Sequence, residues 1–574
     1  MARTTARRPA VLGIDFGTSS VRALIVDPRD GQPLGSAVAA YTRGDAGVFT
    51  SGSDPHLARQ HPADYVEGVA EAVRAAQEHA RSDPGFDPEA IAGIGVDATG
   101  STPIPVDREN VPLALRPEFA GNVDAMAWLW KDHTSHAEAA EITRLAREEG
   151  RPYLAKCGGT YSSEWYWAKI LRCERANPRV ARAAHAWVEF CDWMPAWLCG
   201  VRDPAAIRRG ACAAGHKGMY HASWGGLPAA DFLDALSPGL SRFRATYATP
   251  VLASDQPAGR LAPAAAEQLG LRPGVPVAVG ALDAHCGAVG SGCAPGTLVK
   301  IIGTSTCDCI VVPLSQPLAD IPGVCGIAAE SILPGHHGIE AGQSAVGDIF
   351  NWFVSRVLGH GSAAAAAAAH ARLTAEAERL APGESGLLTL DWHNGNRTVL
   401  VDPLLTGLTL GLTLATTPAE LYRSLIEGTA FGARMITERL AEYGVPIQRI
   451  VCCGGVAEKS PLLMQVYADV LNRPMFVAGS DQACALGAAV FAAVVGGAHA
   501  SVPEAQQRMT STRPRAYQPE AASVRTYERL LALYRSLHDA FGAAARAEPL
   551  GGVMKVLLDI QAAAKRTAAP AGRA

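Results

Sequence analysis

Two short turns made of glycine and hydroxyl residues are the first features that could do chemistry. Residues 17–20 read Gly-Thr-Ser-Ser, and residues 303–306 read Gly-Thr-Ser-Thr. Successive backbone N–H groups in such a turn form a concave anion site, and glycine lets the backbone approach a phosphate closely. An ordinary hairpin turn is the alternative for either one alone. Because one turn lies in each half of the chain, together they favour a phosphate clamp.

A single carboxylate precedes the first turn. Asp15 stands two residues before Gly17, whereas the apolar Ile301 holds the same place before the second turn. Magnesium is usually held by one or two carboxylates together with phosphates and waters. Asp15 therefore fits a magnesium ligand, and the alternative is a strand-end Asp that accepts hydrogen bonds from its own turn.

Three further residues are candidates for a site. Asp283 follows an apolar strand predicted at 275–279 and precedes a helix, so it is either a strand-end catalytic carboxylate or a helix N-cap. Lys217 falls in a predicted small-residue loop at 213–218, where a solvated surface lysine is the ordinary interpretation. Glu340 stands between two glycines, which make a close backbone approach easy and favour a site.

Several common catalytic motifs are missing from the sequence. It contains no G-x-x-x-x-G-K-[ST] phosphate loop, no G-x-S-x-G nucleophile elbow and no H-E-x-x-H. The glycine-rich run at 93–100 lacks G-x-G-x-x-G spacing, which gives a Rossmann cofactor little support. A phosphate site, if present, must be of another kind.

Strands and helices that would position these residues follow from apolar patterning. A hairpin is predicted from strands at 11–14 and 21–26, with a helix at 62–79 and a buried strand at 91–96. Further strands are predicted at 298–302, 309–312, 450–453 and 475–477, and helices at 345–357, 363–380, 418–443 and 460–471. The tryptophan-rich region 120–245 is predicted to be mostly helical, with its tryptophans in a core.

The two turns belong to a longer internal repeat. Residues 13–26 and 299–312 each read as strand, Gly-Thr-Ser-Ser/Thr turn and strand. A chain of 574 residues also exceeds what one core usually supports. We therefore predict two α/β domains of similar topology that face each other across a cleft.

Composition favours a small-molecule substrate. The net charge is −4 with 18% charged residues, so nothing indicates nucleic acid or an anionic membrane as a partner. Thirteen cysteines without a C-x-x-C pair indicate buried free thiols in a reducing cytoplasm. No apolar stretch is long enough for a membrane span. Disordered tails are expected at 1–9 and 565–574.

These residues resemble a known family. Residues 13–22 (GIDFGTSSVR) are similar to the first phosphate motif of the actin/hexokinase/Hsp70 superfamily, and in particular to the FGGY carbohydrate kinases. Residues 407–431 resemble the C-terminal signature of that family, 454–461 its adenosine motif, and 483–489 the helix that follows. The stretches 97–103, 129–134, 161–165, 189–193, 209–217, 283–285 and 340–344 resemble its L-ribulokinase branch.

The resemblance implies a fold and an activity. It implies two actin-like (ribonuclease H-like) ATPase domains with a cleft between them: residues 10–290 would form the sugar-binding domain with the catalytic base, and 291–545 the nucleotide-binding domain. The activity would be ATP-dependent phosphorylation of L-ribulose to L-ribulose 5-phosphate in L-arabinose breakdown. ATP and Mg²⁺ would be the cofactors, the location would be cytoplasmic, and a homodimer is common among such kinases.

Roles of single residues are implied in the same way. Asp283 would be the general base, and Asp15 would lie near Mg²⁺. The ketopentose would be held by Ala98, Lys217, Asp283 and Glu340. ATP would be held by Gly17, Thr18, Ser19, Gly303, Thr304, Ser305, Gly454, Gly455 and Ser460. Ser460 departs from the family, which often has Asn at that position.

Two alternative functions remain open from the sequence. The first is another FGGY kinase that acts on D-ribulose or xylulose, since pentuloses differ in one hydroxyl configuration. The second belongs to another class, a nucleotide-switched binding protein like actin or Hsp70. The chain beyond about residue 500 has no strand-rich segment long enough for a peptide-binding domain, which disfavours the second alternative.

Overall fold

The computed structural model describes residues 9–543. The tails predicted at 1–9 and 565–574 lie outside the described residues apart from Pro9, as do the last two positions of the predicted second domain. Within residues 9–543, no helix combines the length and the apolar character needed to cross a bilayer.

The first half of the chain is built on one mixed sheet. The strands of this half are β1 Ala10–Phe16, β2 Ser20–Val26, β3 Pro33–Ala40, β4 Arg59–Gln60, β5 Ile91–Ala98, β6 Pro103–Val106, β7 Ala127–Trp128, β8 Ala186–Glu189, β9 Pro257–Arg260, β10 Pro276–Ala278 and β11 Ala281–Leu282. The main sheet has the order β3-β2-β1-β5-β10-β9, and β11 also pairs with β5. The small pairs β4–β7 and β6–β8 lie outside it.

Helices of the first half cover this sheet and form a separate lobe. They are α1 Pro62–Ala80, α2 His136–Glu148, α3 Tyr166–Ala176, α4 Pro178–Ala183, α5 Phe190–Leu198, α6 Ala211–Lys217, α7 Ala230–Leu236, α8 Pro263–Leu269 and α9 Asp283–Gly290. The predicted helix at 62–79 is confirmed as α1. The predicted loop at 213–218 is wrong, because Lys217 is the last residue of α6.

The second half contains another mixed sheet and eight helices within the described residues. Its strands are β12 Thr297–Ile302, β13 Thr306–Pro313, β14 Gly326–Ala329, β15 His336–Ala341, β16 Leu388–Leu390, β17 Leu408–Leu410, β18 Arg449–Cys453 and β19 Met475–Val477. Its helices are α10 Gly347–Trp352, α11 Ala363–Ala377, α12 Pro418–Glu442, α13 Gly455–Lys459, α14 Pro461–Leu471, α15 Ala483–Val495, α16 Val502–Met509 and α17 Ala521–Gly542. A π-helical turn, Phe353–Val357, continues α10.

The two sheets share one topology, which confirms the internal repeat. In the first, β1 pairs antiparallel with β2 and parallel with β5, and β5 pairs parallel with β10. In the second, β12 pairs antiparallel with β13 and parallel with β18, and β18 pairs parallel with β19. The third antiparallel strand is β3 in one sheet and β15 in the other.

Local sequence explains why the longest helix starts where it does. Thr417 caps α12 by accepting the N–H of Glu420, and the Glu420 carboxylate in turn accepts the N–H of Thr417. Pro418 occupies the first turn. This reciprocal capping box satisfies N–H groups that would otherwise have no partner.

The described residues form three large apolar cores and one small one. The first lies around the first sheet and reaches one face of the second sheet, and another packs on the second sheet. A further core lies inside the helical lobe of residues 113–243 with Cys325, and the small one consists of Val48, Ala58 and Leu129. Trp128, Trp167, Trp187 and Trp193 are nearly inaccessible, which confirms a core role for most of the tryptophans. All thirteen cysteines are free thiols, and ten of them are buried, as predicted.

Helix α15 ties the two halves together. It comes late in the chain yet packs against β1, β5 and α9 of the first half. A Cβ atom on Gly13 would lie 1.9 Å from the carbonyl oxygen of Ala485, so only glycine permits this contact. The first glycine turn, which follows β1, is thereby held close to the second half.

Candidate active site

The ends of neighbouring parallel strands bring three carboxylates to one edge of the first sheet. Asp15 on β1 is in register with Asp97 on β5, and Asp97 is in register with Ala281 on β11. Asp283 follows directly after β11. The predicted residues Asp15, Ala98 and Asp283 therefore meet at this edge. Asp97 was not predicted, although a polar residue at the end of a buried parallel strand is the signal that could have found it.

Asp283 opens helix α9 rather than capping it. The N-cap residue is Leu282, so the N-cap alternative for Asp283 is wrong. The Oδ1 atom of Asp283 accepts the N–H of Ala284 at 2.7 Å. Burial raises the pKa of Asp283 to about 7, and the Asp15 carboxylate adds to the rise. A carboxyl group with such a pKa can accept a proton near neutral pH.

Asp15 and Asp97 are neighbouring carboxyl side chains at this edge of the sheet. Asp15 accepts a hydrogen bond from Arg22 Nη1 at 3.0 Å. Asp97 is fully buried, and neither of its oxygens has a hydrogen-bond donor among the described residues. Burial raises the pKa of Asp97 well above its usual range, and the neighbouring Asp15 and Asp283 carboxylates raise it further. Carboxylate oxygens without donors, next to a second carboxylate, suit a divalent cation.

Lys217 and Glu340 form a buried ion pair between the two halves of the chain. The Lys217 Nζ lies 3.0 Å from each Glu340 carboxylate oxygen. Lys217 ends α6, while Glu340 lies on β15 of the second sheet. Although burial opposes the charge of Lys217, the Glu340 carboxylate raises its pKa. The ring of Trp165 lies 5.6 Å from the same ammonium group.

Two histidines that were not predicted complete this cluster. His285 Nε2 lies 3.3 Å and His216 Nδ1 3.7 Å from the same oxygen of Glu340. His285 Nδ1 contacts Cys212 Sγ at 2.7 Å, and Cys212 also accepts the N–H of Leu282 at 3.4 Å. His216, His285 and Glu340 have ligand atoms within 4.8 Å of one another, as a metal site would require. Because Lys217 already engages both Glu340 oxygens, we interpret the cluster as an ion-pair network.

The charge of the network acts on Asp283. Burial opposes the charged form of His285, but Cys212 and Glu340 raise its pKa well above its usual range. The resulting positive charge lowers the pKa of Asp283, against the larger effects of burial and Asp15. The base candidate and the sugar-site candidates are thus electrostatically coupled.

The first glycine turn joins β1 to β2, as predicted. It is closed by a bond from the Gly17 N–H to the Ser20 carbonyl at 2.9 Å. Gln60 Nε2 donates to the Thr18 carbonyl at 2.6 Å, and Trp130 Nε1 donates to the Thr18 hydroxyl at 3.0 Å. Ser19 is exposed at the tip of the turn.

The second glycine turn joins β12 to β13. The Gly303 N–H donates to the Ser305 carbonyl at 2.9 Å, and Thr304 is exposed. The first residues of α10 support this turn, since the N–H of Asp348 donates to the Thr304 carbonyl at 3.1 Å. Both turns are therefore braced from outside the hairpin, which an ordinary hairpin turn does not need.

The predicted adenosine motif lies beside the second turn. Gly454 has a φ of 93°, and a Cβ there would lie 2.6 Å from the Ile302 carbonyl oxygen, so the position requires glycine. A Cβ on Gly455 would meet no atom within 4 Å, which marks open space. Ser460 instead caps α14 by accepting the Leu463 N–H at 3.4 Å. This capping bond gives Ser460 a structural role.

Two equivalent mixed sheets, each with a braced glycine turn at its strand edge, define a two-domain kinase of the actin-like type. Residues 10–290 match the N-terminal domain, and residues 298–495 the C-terminal domain, of the model for the FGGY family of carbohydrate kinases. The chain belongs to this family, and it is a sugar kinase.

Curated relatives and a solved structure agree with this assignment. A ribulokinase of Vibrio parahaemolyticus is 42% identical over 543 residues, which cover 92% of this chain and 95% of the relative. A ribulokinase of Shouchella clausii is 40% identical over 96% of this chain and 98% of the relative. The xylulose kinase structure from Rhodospirillum rubrum has a TM-score of 0.75 and 24% identity, and covers 93% of this chain and 99% of its own. That likeness shows the fold alone.

Proposed function

We propose that this protein transfers the terminal phosphate of ATP to L-ribulose, giving L-ribulose 5-phosphate in the breakdown of L-arabinose. The observation that carries the proposal is the place and the pKa of Asp283. Its carboxyl group has a pKa of about 7 and lies at the sheet edge where β1 leads into the first glycine turn. A base next to a phosphate site is what transfer to a sugar hydroxyl requires. Curated ribulokinases with about two-fifths identical residues over nearly the whole chain support the choice of sugar.

The sugar would bind at the network around Glu340. Lys217 and Glu340 offer an ammonium and a carboxylate that can donate to and accept from sugar hydroxyls. Ala98 ends β5 next to Leu282, so its backbone borders the same space as Asp283. We assign Ala98, Lys217, Asp283 and Glu340 to the ketopentose and Asp283 to the role of general base.

ATP would bind between the two glycine turns. The residues assigned to its phosphates are Gly17, Thr18, Ser19, Gly303, Thr304 and Ser305. Gly454 and Gly455 would border adenosine, because open space lies beside Gly455. Ser460 is the weakest member of the set, since its hydroxyl caps α14. We therefore assign residues 10–290 to a sugar-binding domain and 291–545 to a nucleotide-binding domain.

Mg²⁺ would be held at Asp15, with Asp97 as a second carboxylate. The unpartnered oxygens of Asp97 beside Asp15 fit a divalent cation that keeps several waters and binds substrate phosphates. When bound, the ion would neutralise charge on the phosphates. Arg22 would then orient Asp15 through their 3.0 Å hydrogen bond.

The remaining features of the proposal are its compartment and assembly. Free thiols at all thirteen cysteines suit a reducing cytoplasm. The homodimer expected from the family stays a prediction, which the mass of the purified protein in solution tests.

A sugar panel tests the proposed substrate. Release of ADP from Mg-ATP would be followed with L-ribulose, D-ribulose, L-xylulose, D-xylulose and glycerol. Strong preference for L-ribulose supports the proposal, whereas preference for D-ribulose or a xylulose favours another ketopentose kinase of the same fold. ADP release that responds to no sugar would return the nucleotide-switched binding protein as the better account.

A further inference from the structure

A short segment of the helical lobe lies directly against the first glycine turn. Residues 129–132 read Leu-Trp-Lys-Asp. Trp130 Nε1 donates to the Thr18 hydroxyl at 3.0 Å. Gln60 Nε2 donates to the carbonyl of the same threonine at 2.6 Å. The residue before Lys131 is thus fixed to a residue of the phosphate turn.

The other neighbours of Lys131 are held just as firmly. Asp132 is fully buried, pairs with the buried Arg59, and accepts the Ala58 N–H at 2.7 Å. On the other flank, the buried ammonium of Lys169 donates to the Leu129 carbonyl at 2.8 Å. Burying charges costs desolvation free energy that their attraction often does not recover. Such anchoring is therefore better explained by the need to place a residue than by stability.

Lys131 is the exposed residue between these anchors. No hydrogen bond or ion pair among residues 9–543 engages its ammonium group at close range. Arg22 on β2, in contrast, is hydrogen-bonded to Asp15 at 3.0 Å. A lysine on a rigid segment, with its charge available, can bind an anion without losing a partner.

The charge of Lys131 also reaches the second turn. Asp348 lies at the start of α10, and its N–H donates to the Thr304 carbonyl at 3.1 Å. Partial desolvation raises the pKa of Asp348, and the Lys131 ammonium opposes that rise. Lys131 therefore lies next to Trp130 at the first turn and within electrostatic reach of Asp348 at the second.

We propose that Lys131 binds the terminal phosphate of ATP and stabilises its negative charge during transfer. The proposal rests on the proposed function and deepens it by adding a phosphate-binding cation. In the transfer, the bond between the terminal phosphorus and the ADP oxygen breaks, and a bond to the sugar hydroxyl oxygen forms. The hydroxyl proton passes to Asp283, and Lys131 keeps its protons throughout. Its ammonium donates to the phosphate oxygens, on which charge accumulates in the transition state.

The test compares ATP with ADP in the absence of sugar. Dissociation constants of Mg-ATP and Mg-ADP are measured calorimetrically for the wild type, Lys131→Met and Lys131→Arg. Arg182→Met, which removes an exposed charge from α4 of the same lobe, is the matched control. Turnover is measured in parallel with the best sugar of the panel.

The expected result separates the two nucleotides. Lys131→Met weakens ATP binding about tenfold and ADP binding less than about twofold, and lowers kcat about tenfold to a hundredfold. Lys131→Arg recovers most of both losses because it keeps the charge. Arg182→Met resembles the wild type.

Two results would overturn the proposal. One is an ATP affinity and kcat of Lys131→Met within about twofold of the wild type, and the other is an equal loss of ATP and ADP affinity. Failure of the proposed function is a separate outcome. If no sugar is phosphorylated, the ATP-to-ADP comparison still decides the role of Lys131.

Discussion

Lys217 and Glu340 are 123 positions apart in the sequence, yet the lysine ammonium lies 3.0 Å from both carboxylate oxygens. One residue ends a helix of the first half, and the other lies on a strand of the second sheet. The pair therefore links the two halves at the place where we propose that the sugar binds. Sugar binding and the relative position of the halves should depend on the same contact.

The first prediction concerns this ion pair. Glu340→Gln and Lys217→Met should each raise the KM for L-ribulose about tenfold or more, because each removes a charge from the sugar site. Each should also lower stability, since a buried charge loses its partner, at a cost of about 3–5 kcal/mol. The double variant should be more stable than either single one. Steady-state kinetics and thermal unfolding measure these effects.

The control for this prediction is ATP affinity. It should change less than about twofold in all three variants. A loss of ATP affinity as large as the loss of sugar affinity would remove Lys217 and Glu340 from the sugar site.

The second prediction concerns the general base. Asp283→Asn should lower kcat by about a hundredfold or more and leave ATP binding intact, because the amide cannot take the hydroxyl proton. In the wild type, Asp283 Oδ1 accepts the Ala284 N–H at 2.7 Å. Asparagine keeps an oxygen that can accept this N–H, so α9 should still begin normally. Binding of ATP and single-turnover rates are the measurements. Full activity in Asp283→Asn would exclude the base role.

The third prediction concerns pH. With a pKa of about 7, Asp283 is increasingly protonated as the pH falls below that value. The wild-type kcat/KM should therefore fall about tenfold for each pH unit on the acid side. The profile is measured with saturating Mg-ATP and limiting sugar. A flat profile down to about pH 5 would show that the ionised form of Asp283 is not needed.

The fourth prediction follows from the same pKa with the opposite consequence for stability. A carboxyl group with a raised pKa in the folded protein binds its proton more tightly there than in the unfolded chain. The contribution of Asp283 to stability therefore falls as the pH rises from about 4 to about 7. Asp283→Asn removes this cost. The variant should have a higher Tm than the wild type at about pH 8 and a smaller advantage at about pH 5. An unchanged difference in Tm between the two conditions would count against the raised pKa.

The fifth prediction uses neighbouring glycines. Gly455→Ala should leave the Tm unchanged, because its Cβ would enter open space, but it should raise the KM for ATP if adenosine occupies that space. Gly454→Ala is the matched comparison and should lower the Tm, since its Cβ would lie 2.6 Å from the Ile302 carbonyl oxygen. Unchanged ATP kinetics in Gly455→Ala would move adenosine elsewhere.

Local patterns predicted much of the fold and part of the site. Both hairpins follow from apolar runs on either side of a glycine turn, and the place of Asp283 at the end of a strand follows from the apolar run before it. These patterns depend only on residues close together in the chain, so they can be recognised in a single sequence. The shared topology of the sheets followed from the repeat of the same pattern.

The parts that the sequence did not predict depend on distant contacts. Cys212 and His285, which meet at 2.7 Å, are brought together by the packing of α6 against β11, the strand that leads into α9. Lys217 was assigned to a loop because its segment is rich in small residues, including Gly215. A Cβ on Gly215 would lie 2.4 Å from the Ala328 Cβ, so a close tertiary contact selects glycine within this helix. Local helix propensity cannot report such a contact.

The proposed phosphorylation of L-ribulose is tested most directly by identifying the product. Purified protein would be incubated with Mg-ATP and L-ribulose, and phosphorus NMR would follow the terminal phosphate. We predict that this phosphate appears as an ester on the C5 hydroxyl of the sugar, in an amount equal to the ADP formed. Release of inorganic phosphate in place of that ester, or no turnover with L-ribulose, would contradict it.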